Sequence, residues 1–503
     1  MKLIKLVQNE LIKIFKRKSI YFLLFLSVIT IFLYNNINPD QNKIVSYYSD
    51  TKDIPIEDME KMLENMRENI DEYVTQKVSI DFGNLYNTFE ENSWQRWALK
   101  EEYSKISIDN IPTDYNLDME TYLKNINDYK YNSNSEITLE VYEKSKIKYN
   151  EYVNALNSDN WKEYVNLKIK NLEERKETEK NSDKEINEIN FEIELYKMRL
   201  DNNINFDYNM RNQYLINYKS NYYLIQSLNL NFGNESQALK NKERNKYVAK
   251  MNLCKYAIEN NIEHDISNES NLIPNNKIDA RISFIRTFQH FDLIIVIIAI
   301  YISTTIVTEE TNKRTIKNLL TKPHRRSTIL ISKIFACIIT AIIVMVFVTI
   351  SQYIIGGIIY GFDSYTINYI GYDYNNQQIL IMNLFNYIVL VGLSKLPMYI
   401  IIVIFCIFMG VMNNHTSMSM ILTLIIFLIS STILAEWSKV DALSVITRFF
   451  ITSNWDFSIY LFDQVSDISG VTKYGSIIIY SLHLFILLYL SIYHFNKKEI
   501  NNV

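Results

Sequence analysis

The stretch TILISKIFACIITAIIVMVFVTISQYIIGGII, residues 328–359, decides the fold. Lys333 is its only charged residue. A helix needs about 20 predominantly apolar residues to cross the roughly 30 Å hydrocarbon core of a bilayer. This run is long enough to do so, and a soluble surface would not carry it. The sequence therefore excludes a purely soluble protein and a nucleic-acid-binding protein.

Five further apolar runs flank this stretch and bring the predicted number of crossings to six. They lie at residues 19–37, 291–307, 379–412, 417–434 and 476–493. The run at 379–412 is too long for one simple crossing and carries Lys395 and Pro397 near its middle. We therefore expect residues 379–392 to lie at the outer interface and the crossing to run from about residue 393, with Lys395 near the headgroups.

Residues 1–18 are predicted to form an amphipathic helix on a basic membrane face. Their apolar positions follow helical spacing: Leu3, Leu6, Val7, Leu11 and Ile14. The apolar run that follows lacks a small-residue cleavage site and continues into Asn35 and Asn36. It is therefore interpreted as an uncleaved anchor helix rather than a cleaved secretory signal.

The distribution of charge predicts the orientation in the membrane. Lys and Arg are concentrated in the N-terminal tail, in residues 308–333 and at the C-terminus, whereas residues 38–285 hold 32 Lys and Arg against 44 Asp and Glu. The positive-inside rule then places both termini in the cytoplasm and residues 38–285 outside the cell. Residues 436–475 also fall outside, and their two short apolar pieces are expected to form re-entrant or surface helices.

The large outer segment is predicted to be an all-helical domain inserted between the first and second crossings, because the whole chain has only 10 Gly and 6 Pro. Apolar positions spaced at three and four residues predict a helical hairpin at 159–201. Further helices are predicted at 56–78, 84–106, 139–156, 210–228 and 237–261. Cys254 and the Trp94/Trp97 pair are interpreted as core residues. The predicted fold class is an all-α integral membrane protein.

The cytoplasmic residues 308–328 carry the functional signal. An acidic pair is followed by a short helix with Ile316, Leu319 and Leu320 on one face. Pro323 ends that helix, because proline lacks the amide proton and clashes with the preceding turn. Ser327 is the expected N-cap of the next crossing.

This segment resembles the linker of type 2 ATP-binding-cassette exporter permeases. The matching residues are Glu309, Glu310, Thr315, Ile316, Lys317, Leu319, Leu320, Pro323, Arg325, Arg326 and Lys333. Arg314 stands where the family usually has Gly, which weakens the expected turn geometry. The resemblance covers roughly residues 1–37 and 286–503 and implies that the linker helix docks in a groove of a nucleotide-binding subunit and transmits its closure to the crossings.

The ATPase itself is not predicted in this chain. No G-x-x-x-x-G-K-[ST] stretch occurs, so ATP and Mg are expected on a separate ATPase subunit, and this chain is expected to bind no cofactor. The resemblance suggests two permease subunits, identical or paralogous, with two ATPases in a bacterial cell membrane. By analogy, the expected substrate is amphipathic: an antimicrobial or other peptide, or a lipid-like drug.

Hydroxyl-bearing residues in the second and fifth crossings are candidates for a translocation path, because the resemblance places these two helices at the protomer interface. Helix packing explains them equally well. They are Ser303, Thr304, Thr305, Thr423, Ser430, Ser431 and Thr432. His483 joins them as an ionisable group inside the sixth crossing, although a neutral His bonded to a neighbouring helix is the commoner arrangement.

Two other classes of function were weighed against the exporter. A non-transporting membrane scaffold or receptor would use its helical ectodomain to dock an envelope partner and would tolerate changes at Leu319 or Pro323. An enzyme active within the bilayer is disfavoured, since the crossings contain no paired carboxylates and no His/Glu set. No catalytic residue and no metal ligand is predicted.

Overall fold

A computed structural model describes most of the chain. The described residues are 2–37, 56–65, 80, 83–102, 147, 150–178, 182–207, 209–229, 237–266, 279–312, 325–413, 415–437, 441–463 and 470–497. The predicted helices 56–78 and 139–156 lie partly outside them. Within them, residues 56–65 and 150–157 are helical, in agreement with the sequence.

Helices dominate every part of the described chain. The N-terminal part and the large polar segment form α1 (Lys2–Phe15), α2 (Lys18–Ile37), α3 (Ile56–Asn65), α4 (Trp94–Glu102), α5 (Trp161–Thr178), α6 (Asp183–Asp201), α7 (Met210–Asn229) and α8 (Gln237–Glu259). The C-terminal part forms α9 (Ala280–Ile285), α10 (Thr287–His290), α11 (Asp292–Asn312), α12 (Arg326–Tyr360), β1 (Tyr369–Asp373), β2 (Gln378–Met382), α13 (Leu384–Met412), α14 (Thr416–Trp437), α15 (Asp441–Thr447) and α16 (Lys473–Lys497). Short 3₁₀ turns occupy Asp363–Thr366, Ile451–Ser453 and Phe457–Asp463.

Five helices in the described residues are long and apolar enough to cross a membrane, judged by length and composition: α2, α11, α12, α13 and α16. In α14, which occupies the place of the predicted fifth crossing, the apolar stretch Thr416–Phe427 is shorter. The chain is therefore a predominantly helical, multi-pass membrane protein. The count of six crossings stays a prediction.

Helix α11 forms the centre of the bundle. Two thirds of its apolar window (67%) is buried, against 11% for α16, and it packs on α12, α13 and α14. Helices α2 and α16 instead expose large apolar side chains, such as Phe25 and Phe485. An apolar surface of this kind needs lipid or another protein to cover it.

Helix α12 is longer than a bilayer requires. Its 35 residues extend roughly 52 Å at about 1.5 Å per residue, against roughly 30 Å of hydrocarbon. Helix α1 packs along α12, and its Ile14 is fully buried. The predicted N-terminal helix is confirmed, and its apolar face rests on protein along α12.

The region of the fourth crossing differs from the expectation. Residues 379–392 do not form an interfacial piece separate from the crossing: β1 and β2 form an antiparallel hairpin in which Tyr369 pairs with Met382, and α13 runs unbroken from Leu384 through Pro397. A short apolar run does not distinguish a strand from a helix by periodicity. Local hydrogen bonds mark the boundaries. The Asp373 carboxylate accepts from the Asn375 and Asn376 amides in the turn, and the Asn383 side chain caps α13.

The expected single helix at 84–106 was also wrong within the described residues. Residues 83–88 are helical, but the chain then turns and α4 begins only at Trp94. Asn92, in this turn, has φ +66°. Asparagine tolerates this left-handed conformation better than most residues, which favours a break here. Residues 441–447, 451–453 and 457–463 form the short helices expected between the last two crossings.

The hairpin predicted at 159–201 is confirmed as α5 and α6, which pack against each other. Their shared core holds the predicted apolar positions, joined by the two tryptophans: Trp94, Trp97, Tyr164, Val165, Ile169, Ile189 and Ile193. A capping box starts α6, since Ser182 Oγ accepts from the Glu185 amide and the Glu185 carboxylate accepts from the Ser182 amide. The hydrogen bond from the Ser182 amide lowers the pKa of Glu185. The cap therefore stabilises the fold fully at pH values above the ordinary pKa of a carboxyl group, and this stabilisation is lost as the pH falls and Glu185 becomes protonated.

The helices predicted at 210–228 and 237–261 are confirmed as α7 and α8, and the structure shows that they pack against each other as a second pair. Phe191 of α6 stacks on Tyr222 of α7 with ring centroids 3.5 Å apart, which joins this pair to the hairpin. Cys254 is buried in the same core, and burial raises the pKa of its thiol to about 12. Its interpretation as a buried, unreactive residue is therefore supported.

The hairpin core predicts a measurable loss of stability on truncation. Ile193→Ala removes a side chain that is 7% exposed and should lower the free energy of unfolding by about 2–4 kcal/mol. Tryptophan fluorescence during denaturation of the full chain in detergent reports on this core directly, because Trp94, Trp97 and Trp161 pack in it. Lys184→Ala, at a solvent-exposed position of the same helix, should leave the transition unchanged; equal transitions for both variants would contradict the packing.

Candidate functional site

The candidate site lies where α1, α11 and α12 meet, on both sides of the predicted linker. Helix α11 does not stop at the predicted end of its apolar run but continues to Asn312, so Glu309 and Glu310 lie on the crossing helix itself. Residues 315–323, with Thr315, Ile316, Lys317, Leu319, Leu320 and Pro323, are outside the described residues, as is the Glu310 side chain. The flanks of the linker can be described in detail.

The first flank is held by Arg17, in the bend between α1 and α2. Its guanidinium lies 3.5 Å from the Glu309 carboxylate and donates to Thr305 Oγ1 at 2.6 Å. Both partners project from α11 one helical turn apart, so a single guanidinium contacts the two. The N-terminal segment is thereby bonded to the last turns of α11, immediately before the linker.

The second flank is held by a buried ion pair. Lys333 Nζ on α12 donates to Glu10 Oε2 on α1 at 3.0 Å and lies 3.4 Å from the Ile306 carbonyl of α11. The two charged side chains are only 1% and 4% exposed. Lys13 donates to the other carboxylate oxygen of Glu10 at 2.8 Å. Desolvating two charges is costly, and the attraction offsets that cost only when both partners are present with further hydrogen bonds.

The beginning of α12 differs from the predicted N-cap and makes a contact with α16. Arg325, not Ser327, is the N-cap residue of α12, and its side chain makes no capping bond. The helix begins at Arg326, whose guanidinium donates to the Asn496 carbonyl near the end of α16 at 2.9 Å. The start of α12 is therefore bonded to the C-terminal helix.

Four of the predicted path residues lie inside the single chain. Ser303, Thr304, Thr305 and Thr423 are each at most 3% exposed. Thr304 and Thr305 donate to carbonyl oxygens of their own helix, and Thr423 donates to the Ser419 carbonyl. The Ser303 and Ser430 hydroxyls have no hydrogen-bond partner among the described residues. Their assignment to a translocation path stays a prediction.

The remaining candidates give less support to a translocation path. The side chains of Ser431 and Thr432 are outside the described residues. His483 Nδ1 lies 2.9 Å from the Ile479 carbonyl, one turn earlier on its own helix, rather than against a neighbouring helix as expected. A hydroxyl pair that the sequence reasoning missed does connect two helices: Thr308 of α11 and Thr416 of α14 are 2.6 Å apart.

A second charged cluster, also missed, lies at the opposite end of α11. Lys395 Nζ donates to Asp292 at 2.7 Å and to Asp456 at 2.6 Å, and Tyr399 donates to Asp292. The side chain of Lys395 is 12% exposed and paired. Its ammonium therefore faces two carboxylates of the same chain, and its position near the lipid headgroups stays a prediction.

No group of three or more His, Cys, Asp or Glu side chains that could hold a metal ion occurs in the described part of the chain. That this chain binds no metal or cofactor remains a prediction. A family model described as ABC-2 family transporter protein matches residues 22–500. No curated protein and no solved structure matches the chain.

The buried pair predicts an asymmetric response to mutation. Glu10→Gln leaves the Lys333 ammonium without a counter-charge in a buried site and should destabilise the protein by about 3–5 kcal/mol. The double variant Glu10→Gln/Lys333→Met removes both charges and should recover much of that loss. Thermal unfolding in detergent measures both effects.

Lys13→Met is the matched control, because Lys13 bonds the same carboxylate but its side chain is 44% exposed. It should shift the unfolding temperature little, as exposed pairs contribute at most about 1 kcal/mol. A double variant that is no more stable than Glu10→Gln alone would argue against the ion pair.

Proposed function

The chain belongs to the ABC-2 transporter family, and from this premise we propose that it is the permease subunit of an ATP-driven exporter. It couples ATP hydrolysis by a separate ATPase subunit to outward transport of an amphipathic substrate across a bacterial cell membrane. Family membership already implies a membrane component that associates with an ABC ATPase. The direction, the substrate class and the coupling route are the proposal.

The observation that carries the proposal is the attachment of both linker flanks to the N-terminal segment, formed by α1 and the bend that follows it. Arg17 contacts Glu309 just before the linker, and Glu10 contacts Lys333 two turns into α12. A force applied to the linker helix is therefore delivered to α1, α11 and α12 together. An ATPase docked on the linker would move a packed three-helix unit rather than an isolated loop.

The exposed apolar surface supports a second permease subunit beside this one. Helix α14, at the fifth crossing that the resemblance places at the protomer interface, exposes Met418, Ile421 and Ile425, and the peripheral helices α2 and α16 expose further apolar side chains. Lipid covers some of this surface, and a second permease, identical or paralogous, covers the rest. Two ATPases then serve the pair, and both termini and the linker lie in the cytoplasm, with residues 38–285 outside the cell.

The amphipathic substrate is proposed by analogy with the family, and the composition of the chain supports it. A large polar helical segment is joined to the apolar bundle, so a molecule passing between them meets both environments. We propose an antimicrobial or other peptide, or a lipid-like drug, as the transported molecule.

The proposal predicts loss of ATPase association on changing the linker. Leu319→Asp places an unpaired charge on the apolar face that docks in the ATPase groove, and burying such a charge is costly. The tagged variant, purified in mild detergent, should retain less than a tenth of the ATPase that co-purifies with the wild type, and ATP hydrolysis should fall in proportion.

Asn318→Asp is the matched control, because it adds the same charge at the adjacent position, off the apolar face. It should retain the ATPase, and size-exclusion profiles confirm that both variants remain folded. Equal retention by Leu319→Asp would overturn the coupling role. Recovery of an envelope protein without any ATPase would instead favour the scaffold or receptor.

A further inference from the structure

A cavity of about 630 Å³ lies where the large polar segment meets the bundle. Its walls come from α7 and α8 on one side, from the end of α9 through the start of α11 and from α13 on the other, and from β1 and residues 458–462 between them. Its volume falls within the roughly 300–1,000 Å³ that drug-sized ligands occupy. The cavity is distinct from the ion pairs around the linker, which lie at the other end of α11.

Three nearly parallel aromatic rings form one wall of the cavity. The rings of Tyr369 and Tyr387 stack with centroids 3.6 Å apart, and Phe462 lies 6.1 Å and 6.2 Å from them. Gly371 makes this wall possible, because a Cβ there would lie 2.7 Å from the Tyr369 ring. Phe462 has φ +58°, an uncommon conformation for a bulky residue that persists only where the surroundings fix it.

The deep end of the cavity carries an excess of negative charge. Asp292 and Asp456 share the single ammonium of Lys395, so the three side chains together hold one uncompensated negative charge. Asp292 is the first residue of α11, where the helix dipole stabilises an ionised carboxylate. Asp265 adds a second carboxylate to the lining, beside Tyr214.

The two lysines that line the α8 wall do not neutralise the deep end. Lys246 is exposed to solvent, which screens its charge. The Lys250 ammonium lies over the Tyr247 ring, 6.0 Å from its centroid, and Tyr247 is not part of the cavity wall. Tyr387 and Lys395 are two turns apart on α13 and both line the cavity, so a ligand on the aromatic stack lies on the same wall as the Lys395 cluster.

We propose that this cavity binds an organic cation with an apolar or aromatic body. The body stacks on Tyr369, Tyr387 and Phe462, whose ring faces attract positive charge, and the cationic centre lies toward Asp292 and Asp456. This assignment deepens the proposed function. Binding of the cation does not depend on the exporter proposal, but the conclusion that the bound cation is also the transported substrate rests on it. A basic side chain of an amphipathic peptide has the same chemistry.

Tetraphenylphosphonium and tetraphenylborate test the assignment, because they have nearly the same shape and opposite charge. Equilibrium dialysis of the purified full chain in detergent, corrected for micelle partitioning, should give saturable binding of tetraphenylphosphonium. Its Kd should be at least tenfold lower than that of tetraphenylborate. Equal binding of the two ions, or no saturable binding of the cation, overturns the proposal.

Two variants locate the site. Asp292→Asn removes the uncompensated charge, and Tyr387→Leu removes a stacked ring without altering charge, so each should weaken cation binding about tenfold or more. Tyr387→Leu keeps the test decisive if Asp292→Asn fails to fold. Asp363→Asn, which changes an exposed carboxylate outside the cavity, is the matched control and should bind as the wild type does.

The binding assay contains no ATPase, so its result is independent of the linker experiment. Folded Tyr387→Leu protein that binds the cation unchanged would refute this site while leaving the exporter proposal standing. Cation binding in a chain that retains no ATPase would support the site and refute the exporter.

Discussion

Lys333 imposes the constraint on which the packing of helices next to the linker depends. It is the one charge in a predominantly apolar stretch of 32 residues, and its side chain is only 1% exposed, so solvent does not stabilise its ammonium. A buried ammonium requires a paired carboxylate, and Glu10 of α1 supplies it at 3.0 Å. The N-terminal helix must therefore pack on α12, which positions Arg17 beside Glu309. One desolvated charge thus accounts for the packing of three helices around the linker.

Much of the helical framework could be predicted from the sequence, because long apolar runs and three-to-four spacing identify helices without tertiary information. The hairpin α5–α6 followed from that periodicity, and α7 and α8 were predicted as helices, although not as a packed pair. Prediction failed where the runs were short. The stretch that became β2 and the start of α13 is mostly apolar, and the hydrogen bonds of Asp373 and Asn383 mark where the strand pair turns and where the helix begins. Similarly, the turn at Asn92 depends on local backbone conformation that composition does not encode.

The sequence identified only one member of each ion pair in the candidate site. The linker motif identified Glu309 and Lys333, but neither of their partners. Glu10 carried a usable signal: Leu3, Val7, Glu10 and Ile14 follow steps of four, three and four, so an acid lies on the apolar face of α1. A lone acid on one apolar face and a lone base in another apolar run are natural partners. Asp292 and Asp456 gave no such signal, because both lie near the ends of apolar segments, where a solvated carboxylate is ordinary.

Helix α11 joins the two charged clusters. Asp292 is its first residue, and Glu309 lies 17 residues later, about 26 Å along the axis at roughly 1.5 Å per residue. The helix is two-thirds buried and packs on three neighbours, so protein contacts hold it along most of its length. Arg17 fixes one end to the N-terminal segment, and Lys395 fixes the other to α13 and residue 456. A movement of the linker would therefore alter the position of Asp292 at the cavity. A cation held by Asp292 would, by the same contacts, resist or favour that movement.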